Sequence, residues 1–409
     1  LTVPGKDAVD ASGGLVFVSY GVTSTELGRD DLEGIDVKGK VVVLLAGKPD
    51  NVDAAAWQKS ANPNGAFVRM IQGGAAAILL AGADMPKMPF KTVADYFSRR
   101  RVALADAPGI SIDVPFLIVG DDALERLLAG SGTTWAALRD AARRGEKASR
   151  NLGRTADVKL RFERGEAVSS NVVGVLEGSD PELKKQAVVY TAHYDAYGKG
   201  RDGRVYHGAA DNALGVGMVL AMAEAFAKLP ARPRRSIVFL AVTGEEYGLF
   251  GSKHWVAHPT WPIENVVANL NFDGMGTEVY GPVRGVVGLG AEHSDLGAVF
   301  EGVLAASGLE VAPDPMPDEN LFTRSDHFPF VKRGVPAMSF IGVPEGDAWI
   351  ARAKHWLETD YHQPEDNITP DWNWDGPRTL AAAGFLIGLR IASADAPPAW
   401  RPTSPYKKG

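Results

Sequence analysis

Short apolar runs alternate with helical patterns along most of this chain. In the first part, residues 40–46, 75–81 and 114–119 are apolar runs typical of buried strands, and residues 65–73 follow a glycine-punctuated helical pattern. None of these elements carries clustered histidines and carboxylates. We therefore predict that residues 1–165 form a smaller α+β domain without a catalytic role.

The second part, residues 166–395, repeats strand, loop and helix. The predicted strands are 171–176, 187–191, 236–242, 266–272 and 336–341, and the predicted helices are 214–228, 248–257, 296–307 and 377–391. Near-continuous apolar strands interleaved with helices predict an α/β fold, with a mostly parallel, mixed central sheet flanked by helices. Residues 396–409 are rich in proline and are predicted to be an extended tail.

Composition narrows the possible partners and chemistry. A net charge of −7 argues against nucleic acid or an anionic membrane as the main partner. The absence of cysteine excludes cysteine-ligated zinc, so any metal must be held by His, Asp and Glu. We predict no membrane span, because residues 209–227 are interrupted by polar positions, and we expect the basic run at 99–101 to be a solvated loop.

Five motifs supply histidines and carboxylates from separate points on the chain. They are His193-Tyr194-Asp195, residues 208–215 (GAADNALG), residues 244–252 (GEEYGLFGS), residues 271–273 (NFD) and Tyr361-His362. Three of these motifs follow predicted strands, and ligands of parallel sheets bind beyond the carboxyl ends of the strands. Two imidazoles and several carboxylates are what a pair of divalent cations with a shared ligand requires.

Each motif also has a simpler interpretation. His193 could be satisfied by backbone at a strand end, Asp211 could be a helix N-cap, and Glu245-Glu246 could be an exposed acidic turn. Adjacent carboxylates repel each other unless cations lie nearby, so one of the glutamates should ligate metal and the other should handle protons. The joint occurrence of five motifs in the order of one site favours the metal centre.

Together with residues 325–330 (SDHFPF) and 361–367 (YHQPEDN), these motifs resemble the co-catalytic zinc exopeptidases. That family includes bacterial leucyl aminopeptidases, plasma glutamate carboxypeptidase and glutamate carboxypeptidase II. The first part, with GKVVVLLAG and GGAAAILLAG, resembles the protease-associated domain that many of these enzymes carry. Relatives have a helical segment before that insert, so we expect the N-terminal part of the peptidase domain to be truncated here.

The resemblance implies two zinc ions that share one bridging water or hydroxide. His193 and Asp273 would hold one zinc and Glu246 and His362 the other, with Asp211 bridging both. A cis peptide bond often follows the bridging aspartate in this family. The bond between Asp211 and its successor is therefore expected to be cis.

Further roles follow from the same resemblance. Glu245 would be the general acid/base, Tyr361 an oxyanion donor, and Asp195 the partner that orients His193. Asp366 is expected to support the site indirectly. The residues predicted to contact substrate are Asn212, Ser325, Asp326 and His327.

The expected function is a dizinc exopeptidase acting on peptides, most simply an aminopeptidase, and by resemblance secreted or periplasmic. A dipeptidase or carboxypeptidase of the same family is the main alternative. A glutaminyl-cyclase-like enzyme and a binding module that has lost catalysis are disfavoured, because all five metal ligands are present. Related zinc deacylases carry an inserted dimerisation domain, for which the stretch after Glu246 is too short. The oligomeric state is left open.

Overall fold

The protein folds as two compact units, Leu1–Ala167 and Val168–Gly409. The computed structural model describes residues 7–61, 63–82, 90, 93–94, 102–105, 114–200, 203–274, 276–317, 320–346 and 348–407. The basic run at residues 99–101 lies outside these described residues, so its predicted solvation stays a prediction.

The first unit is built on a five-stranded sheet in the order β6-β5-β4-β1-β7. Its strands are β1 Ala8–Phe17, β4 Val41–Leu45, β5 Ala77–Ala81, β6 Phe116–Ile118 and β7 Arg150–Arg161, and a short hairpin adds β2 Thr23–Ser24 and β3 Arg29–Asp30. The helices are α1 Ala54–Ser60, α2 Pro63–Gln72, α3 Asp121–Leu128 and α4 Trp135–Arg143. All neighbouring strands are parallel except β1 and β7, which are antiparallel.

Sequence patterns predicted three of these five strands and missed the long antiparallel pair. β1 contains Gly13 and Gly14, and β7 is an edge strand with mostly exposed polar residues. Neither has the continuous apolar run of a buried parallel strand. Each is stabilised instead by pairing with a strand about 140 residues away in the chain, which local sequence patterns do not show.

The second unit contains a seven-stranded sheet in the order β15-β14-β16-β13-β9-β12-β8. The strands are β8 Val172–Leu176, β9 Ala187–His193, β12 Ser236–Val242, β13 Val266–Asn271, β14 Val283–Leu289, β15 Glu310–Val311 and β16 Ala337–Pro344, with a separate hairpin of β10 Gly198–Lys199 and β11 Val205–Tyr206. Only the β14–β16 and β12–β8 pairs of the sheet are antiparallel. The predicted mixed, mostly parallel sheet is confirmed.

Helices cover both faces of this sheet. They are α5 Leu214–Ala227, α6 Phe250–Ala257, α7 Leu296–Ala306, α8 His327–Lys332, α9 Trp349–Thr359 and α10 Asp375–Ser393. α5, α7 and α10 pack on the face that carries Tyr190 and Leu270. α6 and α8 cover the opposite face through Trp255 and Phe330. Burial on both faces explains why β9 and β12 are almost entirely apolar.

Two segments of the second unit are best described by their packing. By length and composition alone, Ala209–Ala227 could cross a membrane, but 56% of it is buried inside the protein and α5 is a core helix, so it does not establish a span. The described part of the tail, residues 396–407, has no helix and packs on the rest of the second unit: Trp400 pairs with Ser294, and its indole N–H donates to the Gly334 carbonyl at 2.8 Å.

The contact between α10 and the sheet depends on the absence of a side chain at Gly384. A Cβ placed there would lie 2.3 Å from the ring of Phe272, which is fully buried. We expect Gly384→Ala to lower the free energy of unfolding by about 1–3 kcal/mol, the usual cost of overpacking. Chemical denaturation monitored by circular dichroism measures this change.

Gly217→Ala is the matched control, because Gly217 lies in α5 and a Cβ added there would meet no other atom within 4 Å. Alanine there should raise the free energy of unfolding by up to about 1 kcal/mol, since glycine is the poorer helix former. Equal effects of the two substitutions would contradict the close approach of α10.

Candidate metal centre

The motif residues converge at the carboxyl edge of the central strands. β9 lies between β12 and β13 in the sheet. His193 is the last residue of β9 rather than following it, Glu245 and Glu246 lie in the turn after β12, and Asp273 follows β13. Because these three strands are parallel neighbours, their carboxyl ends bring the three motifs together.

One group of candidate ligands consists of His193, Asp211 and Asp273. The Nε2 atom of His193 lies 3.0 Å from Oδ1 of Asp211 and 3.4 Å from Oδ1 of Asp273. His193 is fully buried, and the side chains of Asp211 and Asp273 are 8% and 13% exposed. Three donor atoms of these types within reach of one another are able to hold one cation.

A second group shares the same aspartate. The Nε2 atom of His362 lies 3.2 Å from Oδ2 of Asp211 and 3.0 Å from Oε2 of Glu246. Asp211 thus directs one carboxylate oxygen to each histidine. Within each group the ligand atoms lie no more than 4.8 Å apart. The structure therefore places all five predicted ligands as two donor groups joined through Asp211.

The backbone around Asp211 is held by side chains from distant segments. Asp366 accepts hydrogen bonds from the N–H groups of Ala210 and Asp211 at 2.8 and 3.0 Å. The peptide bond between Asp211 and Asn212 is cis, as the resemblance implied. Asn212 is buried, and its amide donates to the Phe272 carbonyl at 2.8 Å. This side chain is used inside the fold, and its predicted contact with substrate stays a prediction.

Asp195 connects two of the motifs. Its carboxylate accepts hydrogen bonds from the backbone N–H groups of Glu245 and Glu246 at 3.1 and 3.3 Å. Nδ1 of His193 lies 3.1 Å from the Asp195 carbonyl and 3.7 Å from its carboxylate. Asp195 is thus placed to orient His193, which leaves Nε2 facing the carboxylates of the first donor group.

The three remaining predicted substrate contacts are all buried. Ser325 donates a hydrogen bond to Oδ2 of Asp273 and accepts one from Asn271 at 2.8 Å. Asp326 accepts a hydrogen bond from Ser252 at 2.5 Å, and burial raises its pKa to about 7. Burial lowers the pKa of His327 to about 4. In this structure Ser325 therefore supports Asp273, and substrate contacts through these residues stay predictions.

Negative charge is crowded around the two donor groups. Burial raises the pKa of Glu245 well above its usual range, and the carboxylates of Asp273 and Asp326 act in the same direction. Burial opposes the charged form of His362, but Asp211 and Glu246 raise its pKa to about 9. An environment that favours positive charge on a buried histidine also favours divalent cations.

Tyr361 lies between two aromatic rings. Its ring centroid is 3.6 Å from that of His362 and 5.2 Å from that of Trp356. Its backbone N–H donates to the Trp356 carbonyl at 2.9 Å. Burial raises the pKa of Tyr361 well above its usual range, and Asp211 and Glu246 add to this effect. The phenol is therefore a neutral donor at physiological pH.

Sequence patterns missed two aromatic residues beside the site. Trp356 lies in α9, a helix that was not predicted, and Tyr197 packs edge-on against His362 with ring centroids 4.9 Å apart. No local pattern marks Trp356, because it is brought to the site by the fold. The spacing of Tyr197, two positions after Asp195, is the one available signal.

The donor set fits zinc. Each group offers one imidazole nitrogen and carboxylate oxygens, which are ligand types that zinc accepts, and none of the residues is a cysteine. Among the described residues, both groups lie entirely within the second unit. That the first unit contributes no metal ligand stays a prediction.

Comparison with known proteins identifies the family. The model of Peptidase family M28 matches residues 171–384, more than half of the chain. The chain belongs to Peptidase family M28. Membership confirms the predicted family resemblance, and with it the predicted class of enzyme, a peptidase. The predicted protease-associated domain has no support from this match and stays a prediction.

Relatives in this family include aminopeptidase YwaD of Bacillus subtilis (strain 168), which is 30% identical over 235 residues, covering 55% of this chain and 45% of YwaD. A probable glutamate carboxypeptidase of Arthroderma benhamiae (strain ATCC MYA-4681 / CBS 112371) is 33% identical over 117 residues, covering 28% of this chain and 14% of that protein. The chain spans less than half the length of these curated relatives.

A solved structure of BSAP, a zinc aminopeptidase from Bacillus subtilis, has a TM-score of 0.50 and 19% sequence identity, covering 99% of this chain and 79% of that chain. At this level of identity the likeness shows the fold. It confirms the predicted α/β architecture.

Asp366 provides a test of how the shared aspartate is held. Asp366→Asn replaces one acceptor oxygen by an amide donor, so one of the two N–H groups of Ala210 and Asp211 loses its partner. We expect zinc affinity to fall by about 10- to 100-fold, as for other residues that orient metal ligands. Competition with a chromogenic chelator measures the affinity.

Asp371→Asn removes the same charge from an exposed position on the same segment and should leave zinc affinity unchanged. Equal zinc affinities of the Asp366 variant and the unmodified protein would show that the hydrogen bonds to Ala210 and Asp211 do not support the centre.

Proposed function

We propose that this protein is a two-zinc exopeptidase that removes residues from the amino terminus of peptides. The observation that carries the proposal is the division of the Asp211 carboxylate between two histidines, each beside a further carboxylate. A carboxylate with one oxygen toward each donor group suits a pair of cations that act on one substrate.

Zinc ions held by these residues would supply Lewis-acid activation of a water molecule and of the scissile carbonyl. Glu245 belongs to neither donor group, yet it lies partly buried beside them. Its carboxylate would take a proton from the attacking water and deliver it to the leaving amine. A pKa raised by burial suits such a carboxyl for transferring protons near neutral pH.

Tyr361 would assist the developing oxyanion. Its phenol is held by the flanking rings of Trp356 and His362, so little ordering is required during the reaction. Asp195 would keep His193 in the tautomer that presents Nε2 to the centre. These residues give the chain the parts of an amide hydrolase that works without a covalent intermediate.

Two observations support action at the amino terminus. Carboxylates that belong to neither donor group, such as Glu245, are not neutralised by the ligated cations and favour the amine of a peptide terminus over a terminal carboxylate. The relatives YwaD and BSAP are named aminopeptidases. One observation favours the alternative, a carboxypeptidase or dipeptidase: the positive charge of Arg324 acts on the Tyr361 phenol and could attract a terminal carboxylate.

Peptides with blocked ends distinguish these reactions. We expect zinc-loaded protein to shorten a peptide with a free amine and an amidated carboxyl terminus, one residue at a time from the amino end. A peptide of the same sequence with an acetylated amine and a free carboxyl terminus should persist, because the terminal amine that the carboxylates favour is absent. Mass spectrometry of the products reads the order of removal. Shortening of the N-acetylated peptide from its carboxyl end would establish the alternative instead.

Substitutions at the paired glutamates separate proton transfer from metal binding. Glu245→Gln should reduce kcat by roughly 10²- to 10⁴-fold, the usual contribution of a positioned general acid/base, with zinc content near two per chain. Glu246→Ala should lose one zinc as well as activity, because it removes a member of the second donor group. Steady-state kinetics and elemental analysis measure the two effects.

The assignment of these roles would be wrong if Glu245→Gln kept most of the peptidase activity. It would also be wrong if this variant lost zinc as readily as Glu246→Ala. Asp371→Asn again serves as the control, since an exposed carboxylate outside both donor groups should affect neither zinc content nor kcat.

A further inference from the structure

The two candidate ligand histidines have different partners at their outer nitrogens. Nδ1 of His193 faces the carbonyl and carboxylate of Asp195. Nδ1 of His362 instead lies 3.5 Å from the hydroxyl oxygen of Tyr197. The Nε2 atom of each histidine faces the carboxylates of its donor group, so in each case Nδ1 is the nitrogen available to donate a proton outward.

Tyr197 is itself fixed by a cluster of aromatic rings. Its ring packs edge-on against His362, and it makes similar edge-on contacts with Tyr206 and Tyr247, at centroid separations of 6.4 and 6.0 Å. Tyr206 is in β11, and Tyr247 follows Glu246 directly. The ring of Tyr197 is therefore held from two sides, and its hydroxyl has a defined position beside His362.

The imidazole of His362 is enclosed by these contacts. Tyr361 stacks on one face at 3.6 Å, and Tyr197 meets the ring at an interplanar angle of 82°. A ligand histidine loses less conformational freedom on binding a cation when its ring orientation is already set. The residues that fix the ring orientation of His362 are aromatic, whereas the partner of His193 carries a carboxylate.

We propose that Tyr197 is a positioning residue for the cation held by Asp211, Glu246 and His362. Its hydroxyl accepts the Nδ1–H of His362, and its ring fixes the plane of the imidazole. The cation held by His193, Asp211 and Asp273 does not depend on this contact. This inference rests on the metal-binding part of the proposed function and is independent of which peptide bond is cleaved.

Tyr197→Phe removes the hydroxyl and keeps the ring. We expect it to lower the affinity for one of the two zinc ions by about tenfold. This is the lower end of the range for residues that orient ligands, because the contact is long and uncharged. The other ion should keep its affinity. Chelator competition resolves the two ions, and a cobalt titration should show an altered visible spectrum for one equivalent only.

Tyr194→Phe is the matched control. It removes a tyrosine hydroxyl three positions earlier, which donates to the Ser170 carbonyl at 2.6 Å and belongs to neither donor group. Zinc affinities and cobalt spectrum should match the unmodified protein. The melting temperature of metal-free Tyr197→Phe should also be unchanged, which separates positioning of His362 from a general loss of stability.

Unchanged affinity for both ions in Tyr197→Phe, or equal weakening of both, would overturn the proposal. Failure of the proposed peptidase activity gives a different result. In that case the unmodified protein binds two zinc ions and Tyr197→Phe still loosens one of them, but no peptide is shortened.

Discussion

The geometry of the centre depends on one carboxylate that serves two histidines. Asp211 places Oδ1 beside His193 and Oδ2 beside His362, so neither donor group is complete without it. Its side chain is almost fully buried near the carboxylates of Asp273 and Glu246, an arrangement that is costly unless positive charge is present. Much of the surrounding structure can be understood as support for this residue.

The centre as a whole is held by contacts between segments that are distant in the chain. Asp366 binds the backbone before Asp211, and Asn212 binds the backbone after β13. Asp195 joins the end of β9 to the turn that carries Glu246. Ser325 donates a hydrogen bond to the Asp273 carboxylate, and Asn271 donates in turn to Ser325. Each contact crosses at least 50 residues of chain, so the centre forms only when the second unit has folded.

The two donor groups have different surroundings. The group with His193 lies over a buried polar network in the sheet, where Thr191 and Asn269 also take part. The group with His362 is bordered by aromatic rings on loops, and the His362 side chain is 24% exposed. The same ligand types are thus held by a rigid strand framework on one side and by loop packing on the other.

Sequence alone determined the α/β architecture, because buried parallel strands are continuous apolar runs. The motifs and the family that they resemble predicted the five candidate ligands, which the structure brings together as two donor groups, and the role of Glu245 stays a prediction. It did not reveal β1, β7, β14 or α9, whose stability comes from pairing and packing with distant segments. Only the tertiary structure decided that Ser325 supports Asp273, that Asn212 is turned into the fold, and that Tyr197 borders His362. Hydrogen bonds and ring contacts between remote residues leave no local periodicity, so a pattern along the chain cannot specify them.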